Sequence, residues 1–387
     1  MTAYEQPLLQ ASSARLPQML RDLERVITRE TPSEDLEAVA DGAAAIAALL
    51  HRRLGAEPEI VVLQGVTHLR LRFGEGDPKV VIVTHQDTVW PIGTLERLPF
   101  SIRDGILRGP GCFDMLSGLV MGIHALALIR ELHGDEALNG VSLLVTGDEE
   151  VGSLTSATFI QAEATNAIAA LVLEPSGDGG AIKVGRKGVS RYQLQVRGRA
   201  AHAGLEPEKG INAGVELAHQ IHRLTQLADP VEGTTVTPTR LQGGTTVNTV
   251  PAEAWVDVDV RAWTLTEQRR VDEAMKSLTA LAPQAQVVVS GGINRPPLEQ
   301  ERAQDLYRAY ARVNENLGLP VPPPIRVGGG SDGNYTAAIG VPTLDGLGGV
   351  GDGSHADHEH VIIAELAPRT AALAGLILDR LGIDTAG

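Results

Sequence analysis

Val80-Val81-Ile82-Val83-Thr84-His85-Gln86-Asp87 decides the fold. Four apolar residues run without a break, and the segment then ends in residues that bind metals or protons. A short strand that is apolar on both faces must be covered on both, as in a parallel sheet flanked by helices. Two further segments repeat the pattern. Val141 to Val145 runs into Asp148-Glu149-Glu150, and Ala169 to Leu173 runs into Glu174. Between the first two, Leu119 to Leu132 reads as a helix. The alternation predicts an α/β domain. In open α/β sheets ligands bind outside the carboxyl ends of the strands. Three strands therefore deliver His, Glu and Glu to one rim.

Working outward, Leu16, Met19, Leu20, Leu23, Val26 and Ile27 have helical spacing. Ser33 can cap a second helix that runs to about Leu54. The middle of the chain changes period. Tyr192, Leu194 and Val196 alternate with polar neighbours, as do Ala254, Val256, Val258, Val260 and Ala262, so each marks a strand with one wet face. Ile211 to Ile221 and Val271 to Leu281 read as helices, Thr234 to Leu241 and Gln286 to Ser290 as strands. The order is β-α-β-β-α-β, a ferredoxin-like arrangement. Ile363 to Leu381 is a helix. These readings predict a discontinuous main domain from residues 1–186 and 297–387, with a mixed, mostly parallel sheet. Residues 187–296 form an inserted small domain.

The chain has 387 residues, long for one core, and a net charge of -15 with only 3% aromatics. An acidic surface poor in stacking rings argues against nucleic acid as a partner. A single cysteine excludes an intrachain disulfide and fits a reducing compartment, so a cytoplasmic setting is expected. No stretch reads as a membrane span or a signal peptide. No Gly-x-Gly-x-x-Gly follows the first strand, which argues against a dinucleotide enzyme.

The candidate chemistry sits at the strand ends. His85 with carboxylates suits zinc or a similar divalent ion. Asp87, two residues on, can fold back and fix the histidine tautomer. Three adjacent carboxylates at 148–150 repel one another, and a metal relieves the repulsion. One carboxylate left outside the metal could act as a base. Asp114, in Gly109-Pro110-Gly111-Cys112-Phe113-Asp114, is either a turn residue or a bridge between two ions. Cys112 reads as a packed residue. In Gly353-Ser354-His355-Ala356-Asp357-His358-Glu359-His360, His358 and His360 compete with His355 for any role.

Taken together, His85-x-Asp87, Gly109 through Asp114, Asp148-Glu149-Glu150-x-Gly152-Ser153, Glu174-Pro175, His202-Ala203-Gly204 and Gly353-Ser354-His355 resemble the aminoacylase and zinc carboxypeptidase superfamily. That group holds acetylornithine deacetylase, succinyl-diaminopimelate desuccinylase and glutamate carboxypeptidase. Thr84-His85-Gln86-Asp87-Thr88-Val89 and Asn248 with Val250-Pro251-Ala252 look most similar to the carboxypeptidase G branch. The resemblance implies two Zn2+ ions per subunit, with Co2+ or Mn2+ as substitutes. His85 and Glu174 would bind one ion, Glu150 and His355 the other, and Asp114 both. Asp87 would orient His85, and Glu149 would be the general base. The small domain would be a lid that pairs two subunits into a homodimer, so that His202 of the partner subunit reaches the active site. Arg295 and Asn248 would hold a substrate carboxylate, with Arg261 nearby and Gly329, Gly330 and Ser331 lining the pocket. The implied reaction is hydrolysis of the amide bond of N-acyl or peptidyl amino acids by a metal-bridged water, releasing a C-terminal glutamate. An N-acetyl amino acid deacetylase is the alternative, and a metal-binding protein without turnover is a weaker one. One departure stands out. The branch continues past the bridging aspartate with Asp-Lys-Gly-Gly, and here it is Met115-Leu116-Ser117-Gly118.

Overall fold

The computed structural model describes residues 6–383. The chain divides into two units. The first comprises 1–185, 300–327 and 331–387, and the second comprises 186–299 with Gly328–Gly330.

Glu59–Leu63 (β1), Val66–Arg72 (β2), Val80–His85 (β3), Val141–Thr146 (β4) and Ala169–Val172 (β5) form the sheet of the first unit, with the two-residue strand Thr343–Leu344 at its far edge. The order is β1-β2-β4-β3-β5, then 343–344. β3 is parallel to β4 and β5, β5 is parallel to the edge strand, and β1-β2 and β2-β4 are antiparallel. All residues of β3, β4 and β5 are buried. Alternate side chains explain why. Val80 and Ile82 enter the large core, which contains Leu119 and Ile123. Val81 and Val83 point the other way, into a second cluster with Ile160 and Tyr335. Both faces are covered, as the apolar run demanded.

The large core is built with helices Gln6–Ile27 (α1), Leu36–Leu54 (α2), Ser117–His133 (α3) and the C-terminal helix Ile363–Leu381. Cys112–His133 is long and apolar enough to cross a membrane by composition, but nearly all of it is buried here as a core helix. α2 starts later than expected. Asp35 is its cap, accepting from the Ala38 N–H at 3.0 Å. Ser33 is not the cap, because its hydroxyl donates to Asp87 instead. The hairpin β1-β2 escapes the sequence pattern because its second strand carries His68, Arg70 and Arg72.

In the second unit, Gly188–Arg197 (β6), Thr235–Gly243 (β7), Glu253–Ala262 (β8) and Gln286–Arg295 (β9) form an antiparallel sheet ordered β7-β8-β6-β9. Ala254, Val256, Val258 and Val260 bury against Leu217 and Val271 of helices Ala213–Thr225 and Leu265–Lys276. This is the ferredoxin-like pattern read from the alternation.

Candidate metal centre

Because β4, β3 and β5 are parallel neighbours, their carboxyl ends lie side by side. β3 ends in His85, β4 runs into the turn with Glu149 and Glu150, and β5 is followed by Glu174. Asp114 sits in the turn before α3. His355 comes from the loop between the short strands Gly351–Asp352 and His360–Ile362.

Asp87 organises the rim. Its Oδ1 accepts the Glu149 N–H and its Oδ2 the Glu150 N–H, both at 3.1 Å, and Ser33 Oγ donates to Oδ2 at 2.7 Å. His85 Nδ1 lies 3.0 Å from the carbonyl oxygen of Asp87 and 3.4 Å from its carboxylate. A carbonyl can only accept, so Nδ1 carries the proton and Nε2 of the neutral ring is a lone-pair donor. That Nε2 is buried and has no hydrogen-bond partner. It faces Asp114 Oδ1 at 3.6 Å and Glu174 Oε1 at 3.5 Å. His355 Nε2 faces the other Asp114 oxygen at 3.5 Å and Glu150 Oε2 at 3.1 Å. Ligand atoms of His85, Glu149 and Glu174 lie within 4.8 Å of one another, as do those of His85, Asp114 and Glu150.

These separations fit a metal. Two ligands each about 2.0–2.1 Å from an ion, at a tetrahedral angle, stand about 3.4 Å apart. Asp114 offers one oxygen to each imidazole, the geometry of a bridging carboxylate. The charge balance agrees. Burial pushes the Glu150 carboxyl up to about 7, against the pull of His355. Burial would also raise Asp114, but the facing His355 and His85 rings hold it well below the usual range. Hydrogen bonds to Asp114 and Glu150 raise His355 to about 10. For His85 burial acts downward, yet Asp114, Asp87 and Glu174 outweigh it and hold the pKa well above its ordinary value. The carboxylates draw positive charge into the cluster, and protons or a divalent ion can supply it.

The three adjacent carboxylates have separate jobs. Asp148 points away from the cluster and accepts from Thr155 N–H and Oγ at 2.7 and 2.8 Å and from Ser156 Oγ at 2.5 Å. It shapes the turn that presents Glu149 and Glu150. Of the three histidines near 355, only His355 meets the cluster. His360 Nδ1 instead lies 2.9 Å from the His358 carbonyl oxygen. Cys112 is buried and packed. Met115 and Leu116, which replace the charged pair, are buried in the core. The His85 N–H points at Met115 Sδ, 3.3 Å away.

The remaining predicted residues are distributed between the units. His202, Asn248, Arg261, Arg295, Gly329 and Gly330 belong to the second, and Ser331 to the first. Within the second unit, the Ala203 N–H donates to the Asn248 carbonyl oxygen at 2.8 Å, joining the His202 and Asn248 loops. His202 is exposed, and the N–H groups of Gly204 and Leu205 both donate to its Nδ1 at 3.1 Å. Arg295 is buried at the end of β9, and Gln268 Nε2 donates to its carbonyl oxygen at 3.0 Å. Arg261 pairs with Asp259. The carbonyl oxygens of Gly329 and Gly330 accept from Arg186, a buried arginine that sequence reading passed over. Ser331 is buried, and its hydroxyl donates to Asp345 at 2.5 Å. Glu359 stands in a histidine-rich tract and carries no signal of its own in the sequence. Its burial and four N–H partners emerge only in the fold.

An α/β sheet whose strand ends and adjoining loops gather two imidazoles and four carboxylates has the donor set of a metallohydrolase. The profile of Peptidase family M20/M25/M40 matches residues 81–379, and the chain belongs to that family. It is 30% identical over 388 residues to carboxypeptidase G2 of Pseudomonas sp. (strain RS-16), covering 96% of this chain and 91% of that one. It is also 30% identical over 340 residues to succinyl-diaminopimelate desuccinylase of Wolinella succinogenes, covering 82% of this chain and 88% of that one. Among solved structures it is similar to Sso-CP2, an M20 family metallo-carboxypeptidase of Sulfolobus solfataricus. There the TM-score is 0.71 at 15% identity, with 95% of this chain and 99% of that one covered. YXEP of Bacillus subtilis, described as a dinuclear metal binding peptidase from the M20 family, matches with a TM-score of 0.64 at 18% identity, covering 97% of this chain and all of that one.

Proposed function

We propose that the protein hydrolyses the amide bond of small N-acyl or peptidyl amino acids with a free carboxylate, releasing a glutamate-like amino acid, with two Zn2+ ions in the cluster. The observation that carries this reading is Asp114, which offers one oxygen to His85 and the other to His355. His85 and Glu174 would hold one ion, Glu150 and His355 the second, and Asp114 both. Ions bound there would acidify a water to a pKa of about 7 and polarise the scissile carbonyl.

The chain's own residues supply the rest. Glu149 belongs to the group that includes His85 and Glu174. As general base it would take a proton during attack and give it to the leaving nitrogen. His202 is suited to stabilise an oxyanion. Two backbone donors occupy its Nδ1, so the proton of the neutral ring sits on Nε2, which is left to donate. In a homodimer paired through the second unit, this donor would serve the other copy's site. Arg295 offers a planar, bidentate grip on a carboxylate, with Asn248 and Arg261 as further polar groups. The setting proposed is cytoplasmic, in keeping with a single buried cysteine.

The matching identity to a desuccinylase favours a second reading, removal of a succinyl or acetyl group from an amino acid. A panel of benzoyl-glutamate, succinyl and acetyl amino acids, run with zinc-loaded protein and the Arg295→Ala variant, separates the two. Turnover of acyl-glutamates that collapses in the variant supports the carboxypeptidase. Turnover of acetylated or succinylated amino acids that is indifferent to Arg295 moves the protein to the second reading.

A further inference from the structure

Glu359 lies outside every role assigned so far. It is 3% exposed, and both carboxylate oxygens are fully engaged. Oε1 accepts the N–H groups of Phe113 and Asp114 at 2.9 and 3.0 Å. Oε2 accepts the Gly111 N–H at 2.9 Å and Trp90 Nε1 at 2.8 Å. Four charge-assisted bonds to one carboxylate are each stronger than neutral ones. They tie together three stretches of chain far apart in sequence. One carries Trp90, three residues past Asp87. One carries Asp114. The third is Glu359's own turn, where the Glu359 N–H donates to Ala356 O and the Ala356 N–H to Gly353 O, both at 2.9 Å. His355 sits inside that turn with a left-handed φ of 63°. A non-glycine residue there needs surrounding structure to hold it. Outside the turn, Asp357 pairs with Arg97, and Arg97 lies over the Trp90 ring with 5.7 Å to its centroid.

We propose that Glu359 is a positioning residue that sets the subsite made by Asp114, Glu150 and His355, through four hydrogen bonds and without touching an ion. The inference rests on the two-ion reading above. Its core is geometric. Glu359 bonds the backbone of Asp114 directly and closes the turn that carries His355. Two of the three ligands of that subsite therefore depend on it. The subsite of His85 and Glu174 shares only Asp114. Loss of the clamp should weaken one subsite much more than the other. Glutamine is the informative replacement. Its Nε2 must face two of the four N–H groups, donor against donor, while its size is unchanged.

The test is stepwise Zn2+ and Co2+ titration of the full-length apoprotein against a chromophoric chelator, with Co2+ absorption recorded for each equivalent. Wild type, Glu359→Gln and Glu359→Asp are compared, and thermal unfolding of each apoprotein reports folding. Wild type should bind two ions. Glu359→Gln should keep the first near wild-type affinity and bind the second about 10–100-fold more weakly, the range expected when a ligand's hydrogen-bonded support is removed. Glu359→Asp, which keeps the charge but falls one methylene short, should lie between. Two ions of wild-type affinity and spectrum in Glu359→Gln would overturn the proposal. So would equal weakening of both ions, or the failure of both variants to fold. A wild type that binds fewer than two ions would sink the two-ion reading itself, a result distinct from the others.

Discussion

At the scale of the residue, Asp87 does more than orient a histidine. Its carboxylate collects the N–H groups of Glu149 and Glu150 as well as lying beside His85. Replacing it with alanine removes the support of a proposed metal ligand and of the proposed base together. Asp87→Ala is expected to bind metal about 10–100-fold more weakly, read by chelator competition. Glu149→Gln should behave differently. Its metal content should match wild type while hydrolysis falls by about 10²–10⁴-fold, the usual worth of a general base. Metal analysis beside initial rates checks this, and an active Glu149→Gln enzyme would remove Glu149 from the mechanism. These residues were legible in the sequence because each follows an apolar run that had to be a strand. Asp148 shows the limit. Three adjacent carboxylates look alike in a string of letters, and only the turn geometry sends one of them to Thr155 and Ser156.

At the scale of the element, the first three helices are pinned by one buried cluster. Asp22 of α1 accepts from Arg53 of α2 at 2.7 Å and pairs with His124 of α3 at 2.9 Å. Burial opposes its ionised form, but His124 and Arg53 outweigh this and lower the Asp22 pKa to about 2. Burial lowers the His124 pKa, which Asp22 only partly offsets. Both groups have folded pKa values below their unfolded ones, so the unfolded chain binds more protons as pH falls. Their contribution is complete above about pH 6.5, the ordinary histidine value, and is lost in acid. Between pH 7.5 and pH 5 these two groups take stability away, against the opposite pull of His85, His355 and Glu150, so in urea unfolding wild type should lose more stability on acidification, or gain less, than His124→Gln. Equal pH dependence of the two proteins would contradict the assignment. A second prediction concerns α3. A Cβ on Gly118 would stand 1.8 Å from the Leu173 carbonyl oxygen, just before Glu174. Gly118→Ala should cost more than about 3 kcal/mol or leave the protein insoluble, since backbone cannot yield as a side chain can. Both central strands and core helices were readable from periodicity. β2 was not, because His68 and Arg70 are polar residues with partners inside the fold, Thr155 and Glu163.

At the scale of the whole molecule, the two units carry different kinds of residue. The candidate metal cluster belongs to one, and the candidate grip on substrate to the other. Arg295→Ala is expected to lower kcat/KM for carboxylate-bearing substrates by roughly 10–100-fold, the loss of a charged hydrogen bond, with metal content unchanged. Stripping the ions with a chelator should abolish hydrolysis and lower the melting temperature, because a ligand held only by the folded state stabilises it. The insertion itself has a consequence in time. A chain leaving the ribosome at about 5–20 residues per second exposes Glu174 on the order of 10–40 s before His355. The inserted unit, whose strands and helices are contiguous in sequence, is complete in that interval. The first unit still lacks Thr343–Leu344 and its C-terminal helix. A growing chain thus holds four of the five proposed ligands long before His355 arrives to complete the set.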